Sequence, residues 1–222
     1  SCSRGFERKT LKLPSEIIQS SFLGSSIAVL SGPSHAEEVS LGLPTTVVVA
    51  AGEEDICARI QLIINSSSFR VYTSSDSRGV EVAGASKNVI ALAAGISDGL
   101  GYGDNARAAL VCRGASEITR LGAALSCARE TFAGLSGIGD LVATCTSAHS
   151  RNHTVGRRIG QGESLEEILA SSDKVAEGVE TTRSLHQLAE KISVELPITT
   201  EVYRVLFEGK APASAVADLM GR

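Results

Sequence analysis

The sequence predicts two parts in series, an α/β layer followed by an all-helical part. Runs rich in β-branched residues occur only early, as SIAVLSG (26–32), PTTVVVA (44–50) and FRVYTS (69–74). Between the last two, EEDICARIQLIINS places Ile56, Ile60, Ile63 and Ile64 on one helical face. Strand, helix and strand in succession indicate a layer of parallel strands. After residue 76 the β signal disappears and the apolar spacing stays helical. The boundary therefore falls near 76–82, dividing the chain into residues 1–80 and 81–222.

The elements follow in order. Residues 7–21 suit a short helix interrupted at Pro14. The three strands and the isoleucine-faced helix come next. Helices are then expected over 76–98 and 105–125, over 164–172 behind the capping box Ser164-Leu165-Glu166-Glu167, over 181–194 before Pro197, over 199–208 and over 212–220. Two glycine-rich stretches, GLGYGDN (99–105) and GLSGIGDLVA (134–143), read as loops between helices. Neither follows a hydrophobic strand, and Val142 occupies the third small position of a dinucleotide fingerprint, so that fingerprint is absent from this chain.

Composition narrows the function classes. At 222 residues with 43% hydrophobic content the chain can bury a substantial core. A formal net charge of −4, dispersed cations, no Trp and only 4% aromatic residues leave neither an electrostatic footprint nor a stacking platform for nucleic acid. No apolar run approaches the roughly 20 residues of a membrane span. Cys2, Cys57, Cys112, Cys127 and Cys145 are scattered and never form CxxC, which fits free thiols in a reducing compartment and makes the cytoplasm the expected location.

The chemistry centres on Lys87. In AGASKNVIALAAGIS (83–97) it is the only charged residue among small and apolar neighbours. Such a lysine either snorkels to water, the commoner outcome, or exchanges protons near neutrality because burial disfavours its charged form. Asp140 is similarly isolated, the only formally charged residue between Glu130 and Arg151. It suits either a partner for Lys87 or a helix N-cap, with equal weight. Ser150, Arg151 and Asn152 offer a hydroxyl, a forked guanidinium and an amide at an expected helix start, a grouping that suits phosphate or a capped turn with a surface arginine. In SGPSHAEEV (31–39), Gly32 and Ser34 stand where a strand turns into a helix, a place for a ligand or simply a tight turn. Glu177 precedes a helix, as a dipole-favoured acid or a ligand contact. Cys145, His149 and His153 form C-x₃-H-x₃-H, but no fourth ligand is evident and no metal is expected.

Taken together, VLSGPSHAEEVSLGLPT, GVEVAGASKNVIALAAGISDGLGYGDNARAAL, GLSGIGDLVATCTSAHSRNHTVGRRIGQG, VAEGVETT and LPITTEVYRVLFEGK resemble the bacterial-type NAD(P)-dependent glycerol-3-phosphate dehydrogenase family over essentially the whole chain. The resemblance implies the remnant of a Rossmann dinucleotide-binding domain followed by an all-α substrate-binding domain, with the first part of the Rossmann domain and its GxGxxG outside this chain. It implies reversible NADH- or NADPH-dependent reduction of dihydroxyacetone phosphate to sn-glycerol 3-phosphate, feeding glycerophospholipid synthesis, with a homodimer as the candidate assembly. The 222-residue chain alone is then expected to lack dehydrogenase activity. Lys87 matches the family's catalytic lysine. Arg4, Gly32, Ser34, Asp140, Ser150, Arg151 and Asn152 match substrate contacts, while Ala36, Arg151, Val175 and Glu177 match cofactor contacts. Arg4 stands where the family usually has lysine, His35 where it usually has phenylalanine, and His149 and His153 where it does not hold histidine. A related β-hydroxyacid or 6-phosphogluconate-type dehydrogenase, against which the Ser150-Arg151-Asn152 group and the 31–36 turn argue, and a non-catalytic helical dimerisation fragment are the alternatives.

Overall fold

The computed structural model describes residues 1–171 and 176–221. Helix α1 (Pro14–Ser21) leads into strand β1 (Ala28–Ser31), the short α2 (Ala36–Ser40), β2 (Thr45–Ala51), α3 (Glu54–Ile64) and β3 (Phe69–Ser74). Then come α4 (Ser77–Gly99), α5 (Asp104–Ala124), α6 (Arg129–Ala133), a π-helical turn (Leu135–Gly139), α7 (Asp140–Thr146) and α8 (Arg151–Gly160). The chain closes with α9 (Leu165–Ala170), α10 (Glu177–Ile192), α11 (Pro197–Phe207) and α12 (Pro212–Met220).

The strands lie in the order β1-β2-β3. β2 and β3 are parallel with Val47 opposite Val71, as expected, because the eleven-residue α3 carries the chain back along the sheet. β1 and β2 are instead antiparallel, with Leu30 opposite Val49. The five-residue α2 between them is not the full crossover helix on which a parallel pair usually relies. Strand β2 buries both faces. Val47 and Val49 join Val71 and Cys57 beneath α3, while Ala50 meets Val29 and Val80 at the start of α4.

Three other expectations are corrected. Pro14 starts α1 at its first position rather than interrupting a helix, since its missing N–H is an orphan donor there anyway. Ile63 points outward at 76% exposure, whereas Ile56, Ile60 and Ile64 pack on the sheet, so the buried stripe of α3 is narrower than its isoleucine content suggests. The 134–143 stretch is not a loop but the π-helical turn running directly into α7. The capping box at Ser164 forms, Ser164 Oγ accepting from Glu167 N at 3.3 Å and Glu167 Oε2 from Ser164 N at 2.9 Å.

Helix α4 is the axis of the helical part and is buried from Gly79 to Ser97. Its apolar residues go all round, which is the pattern of a helix covered on every side. Glycines permit the closest approach. A Cβ at Gly95 would overlap the His153 carbonyl, at Gly99 the Arg157 carbonyl, at Gly156 the Leu92 carbonyl and at Gly160 the Ile96 carbonyl. Two small-residue pairs spaced by four thus let α4 and α8 touch backbone to backbone. Asp76 caps α4 through Gly79 N (2.9 Å) and also accepts from Thr131 Oγ1 (2.7 Å) and Ala128 N (3.0 Å), tying the start of α4 to α6. The buried Glu117 of α5 accepts from Ile198 N (2.7 Å) and Thr199 N (2.9 Å), seating the start of α11. Desolvation holds the Glu117 carboxyl above its ordinary 4.5. Phe6, Leu11 and Leu13 join the helical core, so the N-terminal segment packs with α4 and α10 rather than with the sheet alone.

Candidate active site

The α4 and α8 contact, the cap at Asp76 and the π-helical turn bring Lys87, Asp140 and Ser150-Arg151-Asn152 to one polar cavity of about 440 Å³, including its open mouth. Lys87 Nζ donates to Asp140 Oδ1 and, at 2.9 Å, to Thr144 Oγ1. Of the two readings of Asp140, the partner of Lys87 holds; the N-cap of α7 is Gly139. Thr144 is one turn beyond Asp140 on α7 and donates to the Asp140 carbonyl at 2.6 Å, which aims its oxygen lone pairs at the ammonium. An ammonium has three protons, and two are committed here. Burial lowers the Lys87 ammonium from 10.5 to about 8, against the pull of Asp140 and with help from the Arg4 charge. A buried base in that range exchanges protons near neutrality.

Arg4 reaches the same carboxylate from the other side. Its Nη2 donates to the Gly32 carbonyl at 3.2 Å and stands 3.5 Å from Asp140 Oδ2. Gly32 has φ +132°, and a Cβ there would press on Val47 Cα at 3.0 Å, so only glycine presents that carbonyl to Arg4 without strain. Ser34 lines the cavity, its Oγ donating to Gly32 O at 3.1 Å. Ser150 N-caps α8 by accepting from His153 N at 3.2 Å, and the buried Asn152 accepts from Gly178 N at 2.9 Å with Oδ1. That bond seats the first turn of α10, bringing Glu177 to the cavity wall. Arg151 is exposed at the rim.

Not every predicted residue arrives. Ala36 is exposed on the first turn of α2, outside the cavity lining. Val175 lies outside the described residues. Four lining residues were not anticipated as site groups: Asn88, Thr144, His35 and His149. Asn88 is a polar neighbour of Lys87 in an otherwise apolar run, and Thr144 follows Asp140 by one turn; both spacings were available signals. The two histidines meet only in space. Cys145 is buried in α7 with its thiol pushed up to about 12 by desolvation, and His153 Nε2 lies 2.8 Å from Asp98 Oδ2, so the C-x₃-H-x₃-H spacing splits among different surroundings.

Arg4 Nε, Asn88 Nδ2 and Asp140 Oδ2 are buried without a hydrogen-bond partner. Buried polar atoms are normally satisfied, so three orphans beside one polar cavity mark a place for a polar ligand. A second cavity, of about 680 Å³ between α4, α5, α11 and α12, is apolar. Of its polar members, Arg113 donates to the Leu219 carbonyl and Glu201 accepts from Arg204 and Lys210.

Comparison with known proteins agrees with this arrangement. The C-terminal model of NAD-dependent glycerol-3-phosphate dehydrogenase matches residues 76–217, and the N-terminal model matches residues 1–57. Glycerol-3-phosphate dehydrogenase [NAD(P)+] of Geobacillus kaustophilus is 54% identical, and that of Bacillus mycoides is also 54% identical, each over 99% of this chain. The chain spans 65% and 66% of those two relatives. Among solved structures, glycerol-3-phosphate dehydrogenase from Coxiella burnetii is 39% identical with a TM-score of 0.96, covering 100% of this chain and 68% of that one. The yeast glycerol-3-phosphate dehydrogenase structure is 29% identical with a TM-score of 0.86, covering 97% and 65%. With the lysine-centred cavity already in place, these matches show that the chain belongs to the NAD-dependent glycerol-3-phosphate dehydrogenase family.

Proposed function

We propose that the protein reversibly reduces dihydroxyacetone phosphate to sn-glycerol 3-phosphate with NADH or NADPH, and that Lys87 moves the proton. The observation that carries this is the buried Lys87 ammonium, lowered to about 8, in one cavity with the Ser150-Arg151-Asn152 group. Substrate phosphate is held by the Arg151 fork and the Ser150 and Asn152 positions at the start of α8, where helix N–H groups favour an anion. Arg4 and Ser34, both held by the Gly32 carbonyl, close the opposite wall and orient the three-carbon body. The third Lys87 proton goes to the C2 oxygen in reduction and returns from the C2 hydroxyl in oxidation. Asp140 and Thr144 keep the ammonium in place, and Asp140 offsets part of its desolvation.

NAD(P)H supplies the hydride when bound. The residues present fit its reactive end: the cavity is polar and open, Arg151 and Glu177 stand on its wall, and Asn88 Nδ2 is a buried donor without a partner. Ala36, Arg151, Val175 and Glu177 are the proposed cofactor contacts. The same reading places the protein in the cytoplasm, as a homodimer serving glycerophospholipid synthesis, with the division at residues 80 and 81 separating cofactor-binding from substrate-binding parts. The five dispersed free cysteines support a reducing location.

The test is Lys87→Ala in the protein at the full length of its relatives. Turnover should fall by at least ~10² with cofactor affinity nearly unchanged, since general acid and base help is of that size. Wild-type turnover in the variant would remove Lys87 from the mechanism.

A further inference from the structure

We propose that His35 and His149 form a two-imidazole site for a divalent transition-metal ion on the wall of the polar cavity. His35 precedes α2 on the sheet side, and His149 lies in the turn between α7 and α8. Their ring centroids are 6.0 Å apart with an interplanar angle of 50°. Both rings line the cavity, and neither makes a ring hydrogen bond among the described residues. The other two histidines are engaged: His153 with Asp98 at 2.8 Å, and His186 stacked on Tyr203 at 4.0 Å between centroids.

The spacing suits a shared ion. A metal–nitrogen bond of about 2.0–2.1 Å puts the metal about 3.2 Å from a ring centroid, so two rings on one ion stand about 5.2 Å apart at a tetrahedral angle and about 6.4 Å apart when opposed. The observed separation of 6.0 Å lies inside that interval. Imidazole nitrogen suits nickel, zinc and copper. No cluster of three or more His, Cys, Asp and Glu side chains is placed for a metal among the described residues, so the two imidazoles are the proposed protein ligands. Arg4, Lys87 and Arg151 on the cavity wall oppose a cation while Asp140 and Glu177 favour it, so an ion binds more weakly there than a resident structural metal does. An ion there joins the sheet side to the α8 side. Metal binding itself does not depend on the reaction proposed above.

Calorimetry with Ni²⁺ on the 222-residue chain carrying Cys2→Ser and Cys112→Ser, which removes the exposed thiols, is the test. One ion should bind below millimolar Ni²⁺. His35→Phe and His149→Gln should each weaken it by at least tenfold, and His186→Gln should not. Should His35→Phe lower the melting temperature, His35→Gln gives the same reading with a polar side chain. No binding by the parent chain below millimolar Ni²⁺, or unchanged binding in both the His35 and His149 variants, overturns the site.

Discussion

Replacing Asp140 with Asn isolates the electrostatics of the site. In the native protein Lys87 bonds Asp140 Oδ1 and Thr144 Oγ1 in a buried setting, and Arg4 lies 3.5 Å from Asp140 Oδ2. Removing one partner of a buried pair typically costs about 3–5 kcal/mol because the other charge is stranded. Lys87 has an escape that limits this. With its ammonium lowered to about 8, shedding the proton at pH 7 costs only about 1.4 kcal/mol. Asp140→Asn should therefore destabilise by about 1.5–2.5 kcal/mol at pH 7, including a small contribution from partly exposed Arg4.

The pH dependence follows from the same shift. A lysine depressed from 10.5 to about 8 contributes stability that is present above 10.5 and lost as pH falls through about 8. In Asp140→Asn the folded-state value drops further, so the variant sheds the proton earlier and its stability rises faster with pH. The gap to wild type should narrow by about 1–2 kcal/mol between pH 6.5 and 9, where Lys87 is already neutral in both. Urea unfolding of both proteins across that range measures it, and the Lys87 Cε resonance, assigned by its loss in Lys87→Met, reports the titration directly. A gap that is flat or widens with pH, or a Lys87 resonance titrating at the ordinary lysine value, would refute the coupling.

Other perturbations probe the scaffold and the rim. Gly95→Ala drives a methyl into the His153 carbonyl and the Arg157 amide of α8, neither of which can yield without separating the helices; urea unfolding should show a loss of about 2–3 kcal/mol. Glu117→Ala strands the buried N–H groups of Ile198 and Thr199 and should cost about 2–4 kcal/mol by the same measurement, with Glu117→Gln recovering part of it. At the full length of the relatives, Arg151→Lys should raise KM for dihydroxyacetone phosphate at unchanged melting temperature, because an ammonium cannot reproduce a two-pronged bond to phosphate. An unchanged KM removes Arg151 from the phosphate site.

Local pattern alone placed the strands near 28–31, 45–51 and 69–74 and most of the long helices, because β-branched runs and helical apolar spacing are local properties. It also singled out Lys87 and Asp140 as isolated charges in apolar runs, but left snorkelling open for the one and an N-cap for the other until their contact was seen. Strand direction was not local. Whether β1 runs with or against β2 is not written in the residues of either strand, and the antiparallel result is visible only in the register. The glycine pairs at Gly95, Gly99, Gly156 and Gly160 have little meaning in isolation, because each becomes necessary only when the facing backbone lies against it. The same holds for His35 and His149, which are 114 positions apart in sequence and 6.0 Å apart between rings. Residue types and spacing determined which groups could do chemistry; the close crossing of α4 and α8 and the turn into α7 decided which of them meet, because contacts between distant segments depend on packing that no single stretch encodes.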